Sequence, residues 1–249
     1  MKKKILAMCL VAALAATAII GGTLAYFTDT DTEDNVFTVG NVKIELIEKQ
    51  RNDEGTSLED FEDGKVLMPI VGSAQEDNET VGGVEGLPTA ENYVDKIITV
   101  ENTGASKAYV RVFVAIPVVL DNVGDASQNI LHFNWSKASS ADGEWLTEVC
   151  TAENVNVKGV LCNVYSRIYS TALDPEAVTA TPAYIGFYLD KNVDMNEDGQ
   201  YTINGEVIEM DLSKGVTIPV FAQGVQEAGF ADAETAFRES GLPTNPWGE

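Results

Sequence analysis

The chain has 249 residues, enough for one large domain or two small ones, and 45% of them are hydrophobic, so a sizeable core is within reach. The formal net charge is −23, from 39 acidic residues against 16 basic ones. Such a surface repels phosphate backbones and anionic lipid, so nucleic acid is excluded as an expected partner. Solubility outside the cell and divalent-cation binding remain as readings of the acidity.

The chain opens on Lys2, Lys3 and Lys4, and an apolar run follows over residues 5–20. As a helix this run would be about 24 Å long at about 1.5 Å per residue. That is short of a hydrocarbon core of roughly 30 Å. Gly21 and Gly22 break it, and Thr23 and Ala25 then place small residues at −3 and −1 of a signal peptidase site. Residues 1–25 therefore read as a signal helix cleaved between Ala25 and Tyr26. An uncleaved membrane anchor is the alternative, and the membrane is expected as a partner only through this segment. Cleavage removes three lysines and no acid, so the processed chain is more acidic still.

Residues 26–35 form a polar arm rich in Thr and Asp, led by Tyr26 and Phe27. Alone it would be flexible. From Val36 to Glu48 the pattern turns strand-like, with Val42, Ile44 and Leu46 alternating with Lys43 and Glu45, and Gly40-Asn41 as a bend. Residues 50–92 read as an acidic surface insertion, with a short edge strand over residues 66–71 that contains Pro69.

Residues 96–100 form a strand and residues 101–104 its turn, where Gly104 is free to take positive φ. Residues 109–117 form the next strand. Val110, Val112, Val114 and Ile116 face one side, and Tyr109, Phe113 and Ala115 face the other with Arg111, so the strand is expected to be covered on both faces. Arg111 is expected to pair with a carboxylate. Residues 121–142 read as a loop carrying the only histidine, His132, and Trp135.

Cys9 leaves with the signal, and Cys150 and Cys162 remain. A hairpin centred near Asn156 would set them opposite each other. A bridge there would stabilise by roughly 3 kcal/mol on the chain-entropy model. Two buried, reduced thiols are the alternative. Residues 183–189, 201–210 and 216–223 read as further strands. Residues 231–240 read as a helix capped by Asp232, with Ala233, Ala236 and Phe237 on one face and Gly241 at its end. Eight or nine strands with one late helix make an all-β sandwich.

Catalytic motifs are sparse. A zinc site of the H-E-x-x-H kind needs two histidines on one helical face, and the chain has one histidine in total. No G-x-S-x-G elbow occurs. The best cation candidate is Asp194, Asn196 and Asp198 followed by Gly199, which matches the first half of an EF-hand calcium loop. Its twelfth position is Gly205 where a bidentate Glu is needed, so a polar hairpin loop is the competing reading.

Two stretches carry a family resemblance: GGTLAYFTD (residues 21–29) with NVFTVGNVKIEL (35–46), and VDKIITVENTGASKAYVRV (94–112). They resemble exported proteins handled by a SipW-type signal peptidase, including the TasA biofilm fibre proteins and the camelysins, and the C-terminal half is similar to a clostridial-type branch. The resemblance implies a jelly-roll sandwich over residues 36–249, with the insertion at about 50–92. It implies a secreted, non-enzymatic surface or biofilm matrix protein that forms a homopolymer, with other matrix proteins as further partners. In fibre-forming relatives the processed N-terminus inserts into the next subunit. That role falls here on Tyr26, Phe27, Thr28, Asp29 and Thr30. Camelysins carry a peptidase description, which no motif in this chain supports. A monomeric adhesin or ligand-binding sandwich is the alternative. No cofactor is expected apart from the weak calcium candidate.

Overall fold

The computed structural model describes residues 22–24, 33–39, 42–134, 144–146 and 149–248. The strands in chain order are β1 (Gly22–Leu24), β2 (Glu33–Val39), β3 (Ile44–Arg51), β4 (Leu58–Asp60), β5 (Asn78–Val81), β6 (Val84–Pro88), β7 (Val94–Asn102) and β8 (Ala108–Pro117). There follow β9 (Leu131–Asn134), β10 (Val149–Val157), β11 (Val160–Ile168), β12 (Tyr184–Leu189), β13 (Val193–Met195), β14 (Tyr201–Ile203), β15 (Glu206–Val207) and β16 (Val220–Gln226). Helix α1 spans Ala233–Glu239. Among the described residues no helix is long and apolar enough to cross a membrane.

Two large sheets face each other. One has the order β1-β2-β16-β8-β11-β10 and the other β4-β3-β7-β12-β9. Between them lies the main core, where Val110, Val112, Val114 and Ile116 of β8 meet Ile98 and Val100 of β7 and Tyr184 and Phe187 of β12. The molecule is thus the expected all-β sandwich with one short C-terminal helix.

The chain repeatedly crosses between the sheets. The stretch read as one strand from Val36 divides: β2 lies in the six-stranded sheet and β3 in the five-stranded one. The same happens after β7, which does not pair with β8. Gly104 in that second crossing does not use positive φ. Its role is close approach, because a Cβ there would lie 2.6 Å from the Lys43 backbone nitrogen. Gly186 in β12 is constrained in the same way, with a Cβ falling 2.4 Å from the Val94 carbonyl oxygen.

Residues 50–92 fold back over the outer face of the five-stranded sheet. The β5–β6 hairpin packs Val81 and Leu87 against Ile97 and Ile185. Arg51 pins it: its guanidinium bonds to Asp95, Glu79 and the Pro88 carbonyl. The short run with Pro69 forms single bridges to Leu189 and Glu91 in place of an edge strand. On the outer face of the other sheet, α1 packs Ala233, Ala236 and Phe237 against Tyr109 and Val225. Asp232 caps it by accepting from the Thr235 N–H at 2.7 Å, and Gly241 closes it at φ 74°.

Both close-approach glycines can be tested by denaturant unfolding. Gly104→Ala and Gly186→Ala each force backbone to shift, and a loss of about 3 kcal/mol is expected from strain of this kind. A midpoint within error of the wild type for either variant would contradict the packing described.

Candidate functional site

The sandwich positions its N-terminal strand at a sheet edge. Strand β16 pairs antiparallel with β8 on one side. On its other side it pairs parallel with β2, Ala222 opposite Val36 through Val225 opposite Val39. The remaining part of β2 has a different partner: Glu33, Asp34 and Asn35 pair antiparallel with Leu24, Thr23 and Gly22 of β1. Strand β16 itself is buried from Val220 to Val225, so β2 rests on a rigid wall. Gly224 lets the chain pass close by, with Val42 and Ile44 side chains within 3.1 Å of where its Cβ would be.

The outer face beside this edge is closed by the C-terminal segment. Arg111 is buried there, and it does not meet the carboxylate expected of it. Its Nε and Nη2 donate to Gln223 Oε1, and Nη2 and Gln223 Nε2 both donate to the Pro243 carbonyl oxygen. The guanidinium carbon lies 4.6 Å from the ring centres of both Phe113 and Phe237. Burial without a counter-charge pushes the Arg111 pKa down to about 10. Trp247 then packs edge-on against Phe221, ring centres 6.1 Å apart. The arrangement straps the C-terminus across the sheet through neutral acceptors and ring faces.

The expected cleavage pair Ala25 and Tyr26, and the arm residues Tyr26, Phe27, Thr28, Asp29 and Thr30, lie outside the described residues, as does Trp135. The two cysteines are described, and they do not face each other. The hairpin turns at Lys158-Gly159, both at positive φ, so its centre lies two to three residues beyond Asn156. Two register shifts follow, at Cys150/Ala152 and Ala152/Val155. Cys162 ends opposite Val155 and Cys150 opposite Tyr165, and both are free thiols. Burial pushes the Cys162 thiol up to about 11, and burial with the nearby Glu153 charge raises Cys150.

Asp194, Asn196 and Asp198 lie in and after β13, in the turn that leads to β14. The Asn196 Oδ1 accepts from the Asp198 and Gln200 N–H groups, and its amide reaches Gln200 Oε1. The loop satisfies itself as a polar hairpin. His132 sits on β9, stacked on Tyr188 with ring centres 5.0 Å apart and Nε2 3.3 Å from Asp190 Oδ2. Sequence reading missed the Asn204-Gly205 turn between β14 and β15, although this dipeptide with two positive φ values is a strong hairpin signal.

Residues 1–53 match a family model described as camelysin metallo-endopeptidase. The match covers about the first fifth of the chain and includes β1, β2 and β3, the strands that build the edge. No curated protein and no solved structure matches the chain. The family description implies a catalytic metal. Among the described residues no three His, Cys, Asp or Glu side chains converge as a ligand set, and the single histidine is engaged with Asp190. The donors among the described residues do not fit a metallopeptidase centre.

The thiol assignment has a direct test. With both pKa values raised, iodoacetamide at pH 8 should label native protein slowly and denatured, unreduced protein at two sites per processed chain. Zero labelled sites after denaturation would restore the bridge.

Proposed function

We propose that the processed chain is a secreted, non-enzymatic surface or matrix protein that assembles with copies of itself into fibres. A SipW-type signal peptidase would release it, and the new N-terminus, residues 26–32, would insert as a strand into a neighbouring subunit, while Glu33–Asn35, read from the sequence as part of the arm, stay in β2. The observation that carries this reading is the position of β2: a sheet edge lies immediately downstream of the expected cleavage point. An extended strand adds to such an edge through main-chain hydrogen bonds, with alternate side chains giving fit. Head-to-tail insertion does not close on itself and yields a filament. The camelysin-type match over residues 1–53 supports an exported protein of this kind, since it covers this same stretch.

A second reading draws on a cleft of about 340 Å³ lined by Gln200, Tyr201, Ile208 and Met210 beside the β13–β14 turn. It would suit a monomeric adhesin that binds a small ligand. Light scattering separates the two, because an adhesin stays monomeric at all concentrations.

Electron microscopy tests the leading reading. Protein beginning at Tyr26 should form filaments, and protein lacking residues 26–32 should remain monomeric. Identical behaviour of the two would overturn strand donation.

A further inference from the structure

Four edges bound the two large sheets, and three of them are blunted. Strand β4 has three residues, two of them exposed acids. Strand β9 has four residues. Strand β10 carries two register shifts and Asn154 at φ 55°. Short, charged or bulged edges discourage pairing with another chain. Strand β2 is different. It has seven residues and an unbroken register against β16. What pairs with Glu33–Asn35 is β1, and β1 lies wholly on the leader side of the expected cleavage point.

We infer that Gly22–Leu24 is a stand-in strand: it occupies the docking edge on β2 until the leader is cut away, and a strand from a second copy then takes its place. The inference rests on the assembly reading above and adds the acceptor to it. Three features point to a second copy as the occupant. The edge already holds an extended antiparallel segment of this chain, so its shape suits one. Cleavage between Ala25 and Tyr26 removes that segment and in the same step frees residues 26–32 of every copy, at a concentration equal to that of the vacated edges. The pairings also divide β2 at Asn35/Val36, so removing β1 takes away the described strand partner of Glu33–Asn35 and leaves Val36–Val39 anchored on β16. A single cut therefore opens both donor and acceptor, and a precursor still carrying β1 can do neither.

The charge at this edge sets the conditions. Glu33 and Asp34 of the edge and Asp29 and Asp31 of an incoming arm all carry negative charge. Docking should thus be faster at 0.5 M salt than at 0.05 M, because screening shortens the reach of this repulsion.

Hydrogen exchange on two forms of the whole protein tests the cap. These are the uncleaved precursor in mild detergent and the processed chain held monomeric by dilution. Amides within Glu33–Asn35 should exchange about tenfold more slowly in the precursor, since strand pairing protects them there. Equal rates would overturn the cap. The precursor variant Thr23→Pro removes an N–H and distorts β1 without altering any residue of the processed chain, and it should lose the protection. Capture decides the occupant: immobilised Thr23→Pro precursor should bind processed chain, and unaltered precursor should not. Equal capture by the two, or capture by neither, would overturn the stand-in role. Failure of the processed chain to form filaments at all would instead count against the assembly reading, while the exchange rates would still report on the cap.

Discussion

Burial of β8 on both faces is the constraint on which the rest of the molecule depends. All ten residues of Ala108–Pro117 are buried. One face is satisfied by the opposite sheet. The other carries Tyr109, Phe113 and Ala115 with Arg111, and it needs a cover of its own. The C-terminal helix and strap supply that cover, and the Arg111–Gln223–Pro243 bonds fix it in place. Its neighbours are β16, buried from Val220 to Val225, and β11, mostly buried from Cys162 onward, and the sheet can be extended only at its ends. One of those ends is the bulged β10. The other is β2.

The second organising feature is the crossing of the chain from sheet to sheet. Strand β2 sits on β16, and a few residues later β3 sits on β7 in the facing sheet. The N-terminal strand is therefore attached to the body through one flank only, its parallel pairing with β16, while its continuation is locked into the core by Val42, Ile44 and Leu46. A strand anchored firmly at one end and held by its edge at the other is suited to exchange partners. The camelysin-type similarity ends close to the end of β3, so it covers this device and not the body behind it.

Much of this architecture was legible in the sequence, and the failures have physical causes. The two apolar faces of residues 109–117 announced a doubly covered strand, and the cap, apolar face and terminating glycine of α1 were all readable. Gly104 was recognised as special for the wrong reason, because a close tertiary approach leaves no local trace while a turn does. The hairpin centre was misplaced because Lys158-Gly159 is a weaker turn signal than the asparagines before it, and two bulges then separated Cys150 from Cys162. Arg111 misled because a lone cation in so acidic a chain suggests a carboxylate, whereas burial between two aromatic rings favours the neutral oxygens of Gln223 and Pro243. Residues 50–92 hid their order, since Leu67, Ile70 and Leu87 are buried without any period that would mark them. The edge position of β2 could not be read at all: its parallel partner lies some 180 residues away in sequence, and only the folded topology brings them together.

The central claim is that the N-terminal segment of one copy lies against the β2 edge of the next. Solid-state NMR on filaments grown from an equal mixture of differently labelled subunits measures this directly. The account predicts through-space contacts between residues 26–32 of one copy and Glu33–Val39 of another. Filaments whose contacts at this edge all arise within single subunits would contradict it.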